Sequence, residues 1–311
     1  MVHHTRPVCS KSVRVLQRNY REKQMRNLIF GALASALVAI TAAHAEPRKI
    51  VAAENFYGDV AEQIGGANVA VSSILTNPEQ DPHEFEASTS TARLLADAQL
   101  VIYNGADYDP WAVKLLSASK SPSREVIEVA KLVGRKAGDN PHIWYDPPTM
   151  PAYAKALAAT LVKLDPAHKA DYAVNLAAFE ASLKPLTDKV AELRTKYAGT
   201  PVTATEPVFG YMATALGLKM RNDRFQLAVM NDTEPSASQI AAFEKDLKTR
   251  AVKVLLYNSQ TSEPLTERMR MLANDSKVPV VGVTETEPEG KRYQEWMLSQ
   301  LTALDQALAN R

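Results

Sequence analysis

The stretch KIVAAENFYGDVAEQIGGANVAVSSIL, residues 49–75, contains one complete strand, helix, strand pattern. Two short apolar runs, 49–53 and 69–75, flank an amphipathic stretch at 56–65. Brief, almost continuously apolar runs are typical of strands that are buried on both faces of a parallel sheet. Parallel strands need a crossover connection, and the amphipathic stretch supplies one. These residues therefore predict a parallel β-sheet covered by helices.

The same alternation continues along the chain. Further strand candidates lie at 100–104, 125–129, 201–205, 218–221, 252–257 and 278–284, and helical patterns lie at 87–97, 208–216, 236–250, 264–274 and 293–309. A helix at 151–163 precedes a long helical stretch at 165–198, in which Pro185 predicts a kink. We expect an α/β fold of two lobes, each a mainly parallel β-sheet flanked by helices, joined by a long rigid linking helix. The predicted divisions are an N-terminal lobe at 46–164, the linking helix at 165–198 and a C-terminal lobe at 199–311.

The first 45 residues have the pattern of a secretory signal. Residues 28–43 are mostly apolar, Arg26 supplies positive charge before them, and an A-x-A motif ends at Ala45. Translation from Met25 is an alternative start, because a signal of this kind begins close to its charged region. The one cysteine, Cys9, precedes this point, so the exported part has no disulfide and no cysteine to carry a lipid anchor. We expect a protein free of membrane anchors in the periplasm of a Gram-negative bacterium.

The charge balance excludes one class of partner. The full chain has a formal net charge of +1, and removing the seven basic residues and one acidic residue of 1–45 leaves −5. A mildly acidic protein lacks the excess positive charge that attracts a polyanion, so we expect no nucleic-acid binding.

Four polar residues near the ends of strand candidates could bind a metal. They are His83, His142, Glu206 and Glu285. Ligands of open parallel sheets bind beyond the carboxyl ends of the strands, and two imidazoles with two carboxylates suit zinc, manganese or ferrous iron. The residues alone leave a plainer interpretation open, in which each histidine is an ordinary surface or core residue and Glu206 only begins a helix. His168, early in the linking helix, is expected to be a surface residue.

Four segments resemble the solute-binding proteins of zinc-, manganese- and iron-type metal ABC importers. These are DPHEFE at 81–86, NG at 104–105, NPHIWYDP at 140–147 and TEPVFGY at 205–211. The similarity extends over almost all of 46–311, and it implies two α/β lobes joined by a long helix with one divalent metal ion held between them. By this resemblance His83 and His142 match the two histidine ligands of the first lobe, Glu206 the third ligand and Glu285 the fourth.

The chain also departs from the family pattern. Many zinc-specific members have histidine at the position of Glu206, a histidine-rich acidic loop and a disulfide in the second lobe, and this sequence has none of them. The manganese and iron branch usually has aspartate at the position of Glu285, so Glu287 is the alternative fourth ligand. Carboxylate in place of imidazole favours manganese or ferrous iron relative to zinc, although zinc still binds most such sites more tightly than manganese does.

The resemblance implies a monomeric periplasmic receptor that delivers a divalent metal, manganese, zinc or ferrous iron, to the membrane permease of an ABC importer. No enzymatic reaction is expected. One alternative is a secreted metallohydrolase, but the sequence lacks an H-E-x-x-H helix, a G-x-S-x-G elbow and a glycine-rich phosphate loop. The other alternative is an adhesion or scaffold module that a metal stabilises.

Overall fold

Two parallel β-sheets organise the chain. The computed structural model describes residues 1–3, 46–79, 81–261 and 263–309, and Pro47–Arg311 forms one compact unit. Apart from residues 1–3, the predicted signal segment and its alternative start at Met25 lie outside the described residues. Within the described part, no helix is both long enough and apolar enough to cross a membrane.

Within the described residues, each sheet has four strands, and every neighbouring pair is parallel. The first contains β1 (Arg48–Glu54), β2 (Val69–Leu75), β3 (Leu100–Tyr103) and β4 (Glu125–Glu128), and the second contains β5 (Pro201–Ala204), β6 (Lys219–Arg221), β7 (Leu255–Asn258) and β8 (Val280–Val283). Their spatial orders are β2-β1-β3-β4 and β6-β5-β7-β8. In the first sheet β2 lies on one side of β1 and β3 on the other, and in the second sheet β6 and β7 flank β5 in the same way. The strand order therefore changes sides between β1 and β3 and between β5 and β7, and such switch points open a crevice for ligands. The predicted fold class is confirmed.

Helices flank both sheets. They are α1 (Asn55–Gly65), α2 (Thr89–Asp97), α3 (Pro110–Ala118), α4 (Val129–Leu132), α5 (Thr149–Leu164), α6 (Lys169–Ser182), α7 (Lys184–Tyr197), α8 (Gly210–Ala215), α9 (Asp223–Met230), α10 (Ala237–Lys248), α11 (Pro264–Asp275) and α12 (Tyr293–Ala309). Three of these, α3, α4 and α9, were not predicted. We call the first sheet with α1–α5 the N-lobe and the second sheet with α8–α12 the C-lobe.

The linking segment is two helices rather than one. After a 3₁₀ turn at Pro166–His168, α6 and α7 meet at Leu183. Pro185 lies in the first turn of α7, where its missing N–H removes no intrahelical hydrogen bond. A proline in this place begins a new helix more readily than it kinks a continuous one.

An aromatic cluster joins the two lobes. The Phe56 ring of α1 lies 4.8 Å from the Trp144 ring and 5.7 Å from the Trp296 ring of α12, and the Tyr145 ring lies 5.2 Å from the Phe209 ring of the C-lobe. All five side chains are buried. Rings at these separations contribute more than their buried area alone, so the lobes share one core.

Candidate metal centre

The four predicted ligands come from loops at the carboxyl ends of the two sheets. His83 lies in a 3₁₀ turn, Pro82–Glu84, after β2, and the Asp81 carboxylate accepts a hydrogen bond from the His83 N–H. Glu206 lies two residues beyond β5, and Glu285 lies two residues beyond β8. His142 stands further from its strand, in the loop after α4.

The structure brings His83, His142 and Glu285 together. Nε2 of His83 lies 3.4 Å from Oε2 of Glu285, and Nε2 of His142 lies 3.3 Å from the same oxygen. One potential ligand atom from each of the three residues lies within 4.8 Å of the others. Ligand atoms at about 2.1 Å around a tetrahedral ion stand about 3.4 Å apart, so these separations suit one transition-metal ion.

Glu206 lies beside this group through a shared amide. Nδ2 of Asn258, the last residue of β7, is 3.2 Å from Oε1 of Glu206 and 2.7 Å from Oε1 of Glu285. Glu206 and Asn258 thus stand at the switch point between β5 and β7, as the position of Glu206 predicted. Glu206 is not one of the three residues whose potential ligand atoms lie within 4.8 Å of one another, but the Asn258 amide donates to its carboxylate as well as to that of Glu285.

Glu287 lies outside the group of potential ligands found among the described residues. Its backbone N–H and carbonyl both bond to the side chain of Asn55. Burial and the charge of Asp59 raise the pKa of the Glu287 carboxyl to about 9. The surroundings of this side chain are thus acidic rather than histidine-rich.

The ring of His142 is oriented to present Nε2 to the cluster. Its Nδ1 lies 2.7 Å from Oδ1 of Asn140, whose Nδ2 donates to the Pro207 carbonyl. An amide oxygen only accepts, so Nδ1 of His142 carries a hydrogen, and Nε2 presents a lone pair whenever the ring is neutral. That nitrogen is buried and makes no hydrogen bond with any described residue. A buried imidazole fixed through its other nitrogen is the usual arrangement of a metal ligand.

Glu285 is held by several neutral groups as well as by the histidines. The Tyr108 hydroxyl donates to Oε2 of Glu285 at 3.0 Å, and Oε1 of Gln260 accepts from the backbone N–H groups of Glu285 and Thr286. The carboxylate is completely buried. Tyr108 and Asn258 thus each hold one carboxylate oxygen, and Gln260 holds the backbone.

The charges of the cluster shift the pKa values of its members. Burial opposes ionisation of Glu285, but the two imidazoles outweigh it and hold the pKa of that carboxyl well below its usual range. Burial also disfavours the charged form of His83, yet Glu285 raises the pKa of His83 to about 9. For Glu206, burial and the charge of Glu285 raise the pKa to about 8.

Sequence reasoning missed the residues that orient the ligands. Asn258 follows a predicted strand as directly as Glu206 and Glu285 do, so the same rule could have identified it. Asn140 and Tyr108 had no such signal, because their roles depend on contacts with Pro207 and Glu285 in the other lobe. His168, predicted as a surface residue, is partly exposed and bonds to Asp165.

Two α/β lobes around a buried group of imidazoles and carboxylates define the class of bilobed solute-binding proteins. A sequence model of the zinc-uptake complex component A periplasmic family matches residues 50–307. The chain belongs to that family.

Individual relatives agree with this assignment. The manganese ABC transporter substrate-binding lipoprotein PsaA of Streptococcus pneumoniae is 25% identical over 86% of this chain and 89% of the relative. The iron ABC transporter substrate-binding lipoprotein MtsA of Streptococcus pyogenes serotype M1 is also 25% identical, over 86% of this chain and 91% of the relative. The periplasmic zinc binding protein TroA of Treponema pallidum shares the fold, with a TM-score of 0.72 and 20% identity over 85% of this chain and 99% of that structure.

The comparisons confirm the resemblance to metal importers and the receptor class. The chain is an extracytoplasmic solute-binding protein of an ABC importer and not an enzyme. The cargo of its family is one divalent metal ion, zinc, manganese or iron. The names of these three relatives give different metals, manganese, iron and zinc.

Proposed function

We propose that this protein captures one divalent metal ion with His83, His142, Glu206 and Glu285 and delivers it to the permease of its importer. The observation that carries the proposal is Nε2 of His142, which is buried without a hydrogen bond and lies 3.3 Å from Oε2 of Glu285. A buried ring nitrogen that makes no hydrogen bond is costly unless a ligand uses its lone pair. A metal ion between the two lobes would use it.

The ligand set favours a hard cation. Two imidazole nitrogens and two carboxylates suit manganese or ferrous iron better than three imidazoles and one carboxylate would. We assign Glu285 rather than Glu287 as the fourth ligand, because Glu285 alone of the two belongs to the histidine group. Zinc still binds most sites of this kind more tightly than manganese does, so metal supply contributes to selection in the cell.

The location and partner follow from the proposal. A signal at 1–45 exports the chain to the periplasm, where it meets the membrane permease as a monomer. The three parts at 46–164, 165–198 and 199–311 act as two lobes and their connection. The buried aromatic contacts between the lobes limit how far they separate, so release requires a local movement of the loop that carries Glu285.

The test is a competitive titration of the chelator-stripped protein with zinc, manganese and ferrous iron. We expect dissociation constants below about 1 μM, and we expect His142→Ala to lose this affinity. The matched control is His168→Ala, since His168 pairs with Asp165 and lies outside the group of potential ligands. Equal affinity of wild type and His142→Ala would contradict the assignment.

A further inference from the structure

We propose that three polar residues of α1, Asn55, Asp59 and Gln63, position the segment that carries Glu285 and thereby set the rate of metal release. We call these residues the α1 polar stripe. The inference rests on the proposed function, in which Glu285 binds the metal. It adds positioning residues that touch neither the metal nor its ligands.

The α1 polar stripe faces the C-lobe along one side of a helix. Residues four positions apart lie one above the other on a helix, and Asn55, Asp59 and Gln63 have this spacing. Each is partly buried, whereas most other residues of α1 are fully buried. All three contact residues between positions 287 and 294, in the loop before the last helix of the C-lobe and in its first turn.

Asn55 makes a two-point contact with the chain just after Glu285. Its Nδ2 donates to the Glu287 carbonyl at 2.7 Å, and its Oδ1 accepts from the Glu287 N–H at 3.0 Å. An amide side chain that bonds both polar groups of one residue fixes the position of that backbone, because neither bond survives a sideways shift. The segment two residues from Glu285 is therefore fixed to the N-lobe.

Asp59 caps a helix of the other lobe. Its Oδ2 accepts from the N–H of Tyr293, the first residue of α12, at 3.0 Å, and its Oδ1 lies 3.3 Å from Nη1 of Arg292. The first N–H groups of a helix lack intrahelical partners, and a carboxylate there also complements the helix dipole. The N-lobe thus satisfies the first N–H group of α12.

Gln63 continues the stripe toward the linking helices. Its side-chain amide exchanges hydrogen bonds with that of Gln294 at 2.9 and 3.2 Å, and Nε2 of Gln294 also donates to Ser182 at the end of α6. The contact lies near the junction of α6 and α7, where the lobes are connected. It is the outer end of the stripe and the furthest from Glu285.

The N-lobe holds the backbone on both sides of Glu285. Before it, the Tyr145 hydroxyl donates to the Thr284 carbonyl at 2.7 Å; after it, Asn55 holds Glu287. Glu285 can leave His83 and His142 only if its segment moves relative to the N-lobe, and that movement breaks the contacts of the stripe. Weakening the stripe should therefore speed dissociation without changing how the ion first reaches the ligands.

The experiment measures zinc dissociation after mixing the loaded protein with excess chromogenic chelator. We expect Asn55→Ala to release zinc about tenfold faster than wild type, as the loss of two modest hydrogen bonds implies, with an unchanged association rate. Asn55→Asp keeps the acceptor but not the donor, so its rate of zinc release should lie between those of wild type and Asn55→Ala. Asp59→Asn keeps the acceptor for Tyr293. It should release zinc faster than wild type but more slowly than Asp59→Ala.

Asn175→Ala is the matched control. Nδ2 of Asn175 donates to the carbonyl of Ile64 in α1, so this variant loses a comparable hydrogen bond on the same helix but leaves the segment at 284–294 untouched. It should release zinc at the wild-type rate. In a Glu285→Ala background, Asn55→Ala should have no further effect on the release rate, because the stripe acts through Glu285.

The outcomes separate this inference from the proposed function. If wild type binds zinc but folded Asn55→Ala releases it at the wild-type rate, the positioning role is wrong and the metal site stands. Equal acceleration by Asn55→Ala and Asn175→Ala also overturns it, since general weakening of α1 would then explain both. If wild type binds no zinc, manganese or ferrous iron, the proposed function itself fails.

Discussion

Nε2 of His142 in the N-lobe lies 3.3 Å from Oε2 of Glu285 in the C-lobe, and neither side chain is exposed to solvent. The Glu285 carboxylate has an unusually low pKa because the imidazoles outweigh the effect of burial. Buried charges persist in proteins where they are paired or bind a metal. The two lobes therefore meet at the proposed metal site.

This contact predicts a difference between Glu285 and Glu287. Glu285→Gln should weaken metal binding by at least about 100-fold, because loss of a ligand costs no less than loss of an orienting residue. Glu287→Gln should leave the affinity unchanged. Competition titrations of the two variants with the same chelator check the prediction, and the reverse order would make Glu287 the fourth ligand.

A second prediction concerns Asn140, which orients His142 and bonds to Pro207 across the lobe boundary. Asn140→Ala frees the His142 ring to rotate, so metal affinity should fall about 10- to 100-fold. Asn140→Asp keeps an acceptor for Nδ1 of His142, so it should lose less metal affinity than Asn140→Ala does. Affinities measured at one pH for both variants test this, and equal losses would show that the contact with Pro207 matters more than the ring orientation.

The fold was more predictable than the site. The strand at 69–75 has the predicted bounds, and the strand at 49–53 extends by one residue at each end. The expected burial on both faces is wrong for 69–75, because this strand lies at the edge of its sheet and only Leu75 in it is buried. The break at Leu183 was not predicted, since it depends on how Pro185 fits the first turn of α7. The site residues could be named from their places after strands, but orienting contacts such as Tyr108 with Glu285 join residues far apart in sequence. No local pattern encodes such a contact.

The pKa values of the site predict that metal affinity rises with pH. In the metal-free protein the pKa of His83 is raised to about 9 and that of Glu206 to about 8, so both groups hold a proton at pH 7. A metal ion binds only the deprotonated groups and must displace these protons.

Binding should therefore release up to about two protons per ion at pH 7 and about one between pH 8 and 9. Calorimetric titrations in two buffers with different ionisation enthalpies measure this number. His83→Ala should release one proton fewer at pH 7. An affinity that stays constant from pH 7 to 9 would contradict the prediction.

The last prediction concerns Glu54, which ends β1 at the switch point of the N-lobe sheet. Glu54 is fully buried, and neither oxygen of its carboxyl has a hydrogen-bond donor among the described residues. Burial and the charge of Asp109 raise the pKa of Glu54 well above its usual value, and burial raises that of Asp109 to about 6.

The folded state thus holds more protons than the unfolded state above about pH 4, so these groups lower stability as the pH rises. Glu54→Gln keeps the size of the side chain but cannot ionise. The metal-free wild type should therefore lose stability relative to Glu54→Gln between pH 5 and 8, by up to about 1.4 kcal/mol per pH unit. Urea unfolding of both proteins across this range checks the difference, and parallel pH profiles would show that Glu54 is already ionised in the fold.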